Sequence, residues 1–365
     1  MNRGSKRWQF ARAVFVGLVV FSTLLEAEAS PTQGPAAAEP GVLQPIEDSL
    51  REASGPHCCR NAGLGPLLLR GQSAFQALRL SLIPMGVGDL EKGHWEAQVT
   101  TTWTNHWAWK ENKYLVDGEF LNTGFYLKYA VTDRVHIKLE IPFLMRGGGF
   151  MDGAIMWFHN TFGLGQMGRE DFRKDQFRII LWRKDGTVYA LDTSQGWIGL
   201  EDIVLSANVL LTEGGAWLPR MSVSAHLKFP TGDKERLFGS GGLDGGISLC
   251  MAKRIWRLYG YLGIQYSRFS GDEIAGIPMR PYQISLFSSI EYPWTDRFSI
   301  ILQEVTNTGA AKDFYQFSET TNEITFGMKA EFLPKTFLEF GLIENLFHFD
   351  NSPDFGLHFG LSRRF

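Results

Sequence analysis

Asp354-Phe-Gly-Leu-His-Phe-Gly-Leu-Ser-Arg-Arg-Phe365 is the stretch on which the fold turns. Apolar Phe355, Leu357, Phe359 and Leu361 alternate with Gly356, His358, Gly360 and Ser362. Successive side chains of a strand point to opposite faces, so this pattern predicts a strand with one apolar and one polar face.

The same pattern recurs upstream. Trp95, Ala97, Val99, Thr101 and Trp103 oppose His94, Glu96, Gln98, Thr100 and Thr102. Val135, Ile137, Leu139 and Ile141 oppose His136, Lys138 and Glu140, and Met221, Val223, Ala225 and Leu227 oppose Ser222, Ser224, His226 and Lys228. Twelve strands are predicted, near 94–104, 122–131, 135–143, 201–211, 219–229, 244–252, 256–267, 282–292, 298–306, 322–332, 336–346 and 354–365. Most approach the 9–11 residues that a tilted membrane strand needs. Their connections alternate between short turns, such as Thr132-Asp133-Arg134, and longer loops at 105–121, 144–200, 230–243, 268–281, 307–321 and 347–353. Strict long–short alternation suits an up-and-down transmembrane antiparallel β-barrel, with short periplasmic turns and long extracellular loops, better than a β-sandwich. A wall of fourteen strands stays open if residues 74–83 and part of 144–200 join it. Trp95, Tyr129, Trp256, Tyr292, Trp294 and Phe365 fall near the turn side and Trp103, Trp107, Trp109, Tyr266 and Tyr282 near the loop side, as interfacial girdles would.

The start of the chain agrees with export. Arg3, Lys6, Arg7 and Arg12 precede an apolar run from Ala13 to Leu25, and Ala27-Glu28-Ala29 supplies a small-residue cleavage site. Residues 1–29 therefore read as a signal peptide. Its removal takes four basic and two acidic side chains and moves the net charge from −3 to −5. Mild acidity leaves no electrostatic footprint for nucleic acid. Residues 30–64 are rich in Pro, Ala, Gly and Glu without periodicity and read as a disordered periplasmic lead-in. Residues 65–93 read as either a plug in the barrel mouth or an extra strand, and 94–365 as the barrel. Cys58 and Cys59 are adjacent and Cys250 is remote from both. No C-x-x-C spacing suggests a metal or haem, and no cofactor is expected.

Gly65-Pro66-Leu67 with Arg70-Gly71-Gln72, Lys228-Phe229-Pro230-Thr231-Gly232-Asp233 and the final strands carry a resemblance to an uncharacterised Gram-negative outer-membrane β-barrel family, a domain of unknown function. The Lys-Phe-Pro-Thr-Gly-Asp element also resembles strand exits in barrels linked to aromatic-compound uptake. The resemblance implies a place in the bacterial outer membrane, contact with its lipid, and recognition by the barrel-assembly machinery through the C-terminal strand. Arg363 departs from the apolar residue common at that point.

On this register the lumen-lining candidates are Glu96, Lys128, His136, Lys138, Glu140, His226, Lys228, Arg257, Glu291, Glu323, Lys329, Glu331, Glu339 and His358. Mixed signs suit either a lumen braced by ion pairs or a polar constriction selecting small solutes. Twelve strands lie between filled eight-stranded and open sixteen-stranded barrels, so a narrow or plugged bore is expected. Loop 144–200 carries Arg146-Gly-Gly-Gly149 and an apolar stretch from Phe150 to Leu164, either a greasy vestibule or a self-packed loop. Outer-membrane phospholipases with twelve strands place a Ser, His and Asn on the outer wall. Here His136, His226 and His358 are expected inside, His159-Asn160 lies in a loop, and no G-x-S-x-G elbow occurs. The expectation is thus a non-enzymatic barrel passing a small solute, with apolar solutes among the options and a non-conducting scaffold as the alternative.

Overall fold

The structure is a computed structural model and describes residues 63–84, 90–163, 165–345 and 349–365. Residues 1–29, read as a signal peptide, nearly all of the 30–64 segment, Cys58, Cys59 and His348 lie outside the described residues.

The barrel strands, in chain order, are β1 (Trp95–Lys110), β2 (Tyr114–Ala130), β3 (Val135–Gly147), β4 (Val204–Thr212), β5 (Arg220–Lys228) and β6 (Asp244–Ile255). They continue as β7 (Leu258–Arg268), β8 (Tyr282–Thr295), β9 (Phe298–Asn307), β10 (Thr321–Leu333), β11 (Thr336–Asn345) and β12 (Phe355–Arg364). Each pairs antiparallel with its sequence neighbours, and β1 pairs with β12, so twelve strands close one ring. The seam sets Glu96 opposite Arg364, Thr102 opposite His358 and Asn105 opposite Phe355. Phe365 and Trp95 exchange backbone bonds at 2.8 and 3.2 Å, so the terminal aromatic locks the last rung. Arg363 lies 5.4 Å over the Phe365 ring.

Alternation sorts the two faces. Phe125, Leu127, Ile137, Leu205, Leu262, Ile264, Leu286, Leu302, Phe326 and Phe359 are exposed on the outside. Gln98, Thr100, Ser206, Ser224, Ser248, Gln265, Ser289, Gln303 and Thr325 are buried inside. Ser, Thr and Gln fit a bore because each hydroxyl or amide can meet a neighbour or water.

The predicted windows hold, except that β1, β2 and β3 run further at the loop end. Loop 105–121 is mostly hairpin: Trp107 pairs with Asp117, Lys110 with Tyr114, and only 111–113 connect the strands. The extension is stabilised by a partner that lies far away in sequence. Strand Arg178–Trp182 pairs with Tyr114 to Asp117 and then with Val188–Asp192. Loop 144–200 therefore adds a sheet outside the ring, together with helix α1 (Asp152–Phe162). The wall does not grow to fourteen strands. Residues 74–83 take no part in it, and the loop strands attach only to the protruding ends of β2 and β3.

Two glycines of the 147–149 run are there because chain segments meet. A Cβ on Gly148 would fall 2.0 Å from the Asp175 carbonyl oxygen, and one on Gly149, at φ 59°, would fall inside the Glu119 carboxylate. Trp103 and Trp107 are accordingly covered by this loop rather than set in an exposed girdle: Trp107 Nε1 donates to the Met167 carbonyl at 3.0 Å and Trp103 Nε1 to Glu119 at 2.7 Å.

Closure of the ring is directly testable. With Cys58 and Cys59 changed to Ser, paired Thr101→Cys and Phe359→Cys, directly opposite across the seam, should form a disulfide on oxidation. Non-reducing gel mobility reads it, and no cross-link would mean an open sheet.

Candidate functional site: an occupied lumen

Residues 63–84, here the strap, run inside the ring. Their backbone has no strand partner, yet buried N–H groups need acceptors. Inward carboxylates supply them. Glu291 accepts from Leu64 N at 2.7 Å and Gly65 N at 3.1 Å, Glu339 from Leu68 N at 3.4 Å, and Glu323 from Gln72 N at 2.8 Å and Ser73 N at 3.0 Å. Gln303 accepts from Leu67 N at 3.1 Å. Leu67 and Leu69 pack with Ile301 and Ile343 on the wall.

Arg70 is the strap's electrostatic anchor. Its Nη2 lies 2.6 Å from Glu201 and 3.2 Å from Asn122 Oδ1, and its Nη1 lies 3.8 Å from Glu140. The adjacent Asp202 pairs with Lys228, which also reaches Asp244 at 3.1 Å and Ser240 at 2.8 Å. The Lys228–Asp233 element is a clamp beside that pair: Gly232 N donates to Asp202 at 2.9 Å and Thr231 Oγ1 to the Glu201 carbonyl at 2.9 Å. The Gly65–Gln72 and Lys228–Asp233 motifs thus meet through consecutive acids, Glu201 and Asp202.

The remaining candidates fall at two levels. Glu96 bonds Arg364 at 2.7 Å, beside Lys128, and Lys329 lies 3.2 Å from Glu339 and 3.3 Å from the Pro66 carbonyl. His358 sits 2.9 Å from Thr102 Oγ1 and 3.5 Å from Glu339. His136 meets the Leu90 carbonyl at 3.1 Å, His226 lies between Ser206 and Ser248 at 2.8 and 2.9 Å, and buried Lys138 approaches the Tyr126 ring at 5.6 Å. Two candidates are corrected. Arg257 is exposed in the β6–β7 turn over the Trp256 ring, because β6 ends at Ile255. Glu331 sits at the end of β10, accepting from Lys335 N at 2.8 Å across a bulge. Cys250 is free and buried in the lumen-facing set.

Above the strap the loops share one apolar core. Phe177, Leu181 and Leu191 pack with Leu237 and Phe238, with Ile274 and Ile277, with Phe314 and Phe317, and with Phe75 and Leu78 of the strap. Loop 144–200 is neither an open vestibule nor packed on itself alone. Its outer part is tied to the wall through buried Arg169, which lies 3.4 Å from Asp152, 2.8 Å from Asn105 Oδ1 and 2.6 Å from Asp354. Burial pushes the Asp354 carboxyl up to about 7, against the pull of Arg169.

Residues 52–365 match the model of DUF3187, described as a protein of unknown function. The chain belongs to that family. No curated protein matches it. Among solved structures, the fold is similar to the COG4313 outer membrane channel from Pseudomonas putida F1, at 15% identity and a TM-score of 0.51, covering 78% of this chain and 100% of that one. More distant similarity reaches the NanC porin, at 10% identity, TM-score 0.41 and coverage of 74% and 98%. The Ralstonia pickettii toluene transporter TbuX stands at 9% identity, TM-score 0.35 and coverage of 76% and 91%. At such identities the likeness bears on fold alone, and only the first is close enough to carry that.

Arg70 and Arg146 are the residues that strand periodicity missed as site candidates. Arg70 was visible only as part of a motif, and Arg146 only as the start of a glycine run; neither lies on a predicted wall strand.

Arg70→Met should destabilise the folded protein by about 3 kcal/mol, because Glu140 and Glu201 lose their buried cation. Adding Glu201→Gln should restore most of that. Urea unfolding in detergent checks it, and additive losses would remove Arg70 as the anchor. Asp354 sets a pH dependence as well. Its folded value lies above its ordinary one, so its contribution is most favourable in acid and is lost as pH rises from 3.8 to about 7. Asp354→Asn should flatten that part of the stability profile.

Proposed function

We propose that this chain is an outer-membrane barrel through which a small solute passes by diffusion, with the strap as the element that obstructs the bore. The observation that carries this is the ring itself, apolar outside and polar within, whose inner carboxylates Glu291 and Glu339 are shared between the wall and the strap while Glu323 accepts from the strap. The Pseudomonas putida channel with a similar fold supports it. The apolar outer band would face lipid, the turns and both chain ends the periplasm, and the capped loops the outside. The C-terminal strand would serve as the assembly signal. Transport by diffusion needs no cofactor and no catalytic group.

A closed scaffold is the second reading, and one feature favours it. Among the described residues, three cavities beside the strap hold only about 20, 40 and 50 Å³. A cavity needs roughly 10–15 Å³ for one water, so each of these holds only a few waters. On the channel reading, the strap shifts to let solute pass.

Planar-bilayer recording separates the two readings. The full chain should show rare, small openings. Deletion of 63–84, or the milder pair Arg70→Met with Glu201→Gln, should give frequent, larger steps. Silence from all three, with each folded by heat-dependent gel mobility, would favour the scaffold.

A further inference from the structure

Buried Arg146 makes no ion pair among the described residues. Arg146, at the loop end of β3, is 1% exposed. Its Nε donates to the Gly196 carbonyl at 3.0 Å, and its guanidinium stacks on the Phe238 ring at 4.2 Å. These contacts fix the plane of the fork. Among the described residues, both terminal nitrogens, Nη1 and Nη2, lack a hydrogen-bond partner. A guanidinium buried without an anion is costly unless something completes it.

Arg146 lines the cavity of about 40 Å³ between the strap and the loop cap. The rest of the lining is mostly apolar, with Phe75 and Leu78 from the strap and Phe120, Leu144 and Leu181 from the wall and loop. Most of the other polar groups are engaged. Glu201 is ion-paired with Arg70 through Oε2, although its Oε1 has no hydrogen bond among the described residues, and Asn122 Nδ2 donates to Gln72 Oε1 at 3.1 Å while its Oδ1 accepts from Arg70. His106 packs edge-on to Phe120 at 4.8 Å. Arg146 is the lining cation that makes no ion pair among the described residues.

We propose that this pocket binds a small apolar monocarboxylate, held by Nη1 and Nη2 of Arg146 on its two oxygens. An end-on guanidinium matches a carboxylate in spacing and plane, and a lysine would not. The apolar lining accepts a hydrocarbon body that chloride or phosphate lacks. At its present volume the cavity has room for about three waters, which suits a carboxylate with a short tail. A longer tail requires Phe75 and Leu78 to withdraw, and these are strap residues. Only the suggestion that such an acid is also the transported solute rests on the channel reading; binding itself does not.

Saturation-transfer NMR on the folded full chain in detergent tests the pocket, with butyrate as probe and butan-1-ol and chloride as comparisons. Butyrate should bind saturably and at least tenfold more tightly than butan-1-ol. Arg146→Met should weaken butyrate at least tenfold and leave butan-1-ol unchanged, with Arg146→Lys between. Equal affinity for acid and alcohol in the unaltered protein would overturn the proposal, and so would displacement of butyrate by equimolar chloride. The acid–alcohol comparison needs no variant, so it decides even if Arg146→Met does not fold. A protein silent in bilayers that still binds butyrate through Arg146 would sink the channel and keep the site.

Discussion

Everything inside this barrel depends on how a chain segment satisfies its backbone without a sheet. The twelve wall strands spend their N–H and C=O groups on one another. A segment within the ring finds no edge to join, and buried amides cannot go unpaired. Glu291, Glu323 and Glu339 resolve this by accepting five strap N–H groups. The need is mutual, since a carboxylate facing a narrow bore requires donors. Among the described residues Glu323 has hydrogen bonds only from the strap, so water is its natural alternative partner.

Arg70 adds a charge-specific anchor to this sequence-neutral holding. Its contact with Glu201 joins the strap to the clamp around Asp202 and Lys228, and through Asp244 to the backbone of Leu80 at 3.4 Å. The long loops then cover the strap through a common apolar core that includes Phe75 and Leu78. Strap, clamp and cap are one packed unit seated in the wall.

Much of the wall was legible beforehand. Alternation is local, and a lumen and an apolar surround impose it on every strand, so the register of β12 could be read from Phe355 to Ser362 alone. The extensions of β1 and β2 were not legible. Asp117, Gly118 and Glu119 break the alternation, and the partner that makes that stretch a strand lies at Arg178–Trp182. Arg257 was misplaced because the polar pair Lys253-Arg254 reads as a turn, whereas β6 runs through it to Ile255 and the chain turns at Trp256 and Arg257. Arg70 and Arg146 escaped because their roles depend on residues fifty or more positions away.

Sequence alone determined the two-faced strands and the order in which they close the ring, because period-two patterning and turn chemistry act between neighbours; it left twelve and fourteen strands both open and placed Arg257 inside. Tertiary structure alone decided that the bore is occupied, that Glu291, Glu323 and Glu339 hold backbone rather than one another, and that buried Arg146 makes no ion pair among the described residues. Those outcomes depend on distances across the ring, and no local pattern records which carboxylate a remote amide will meet.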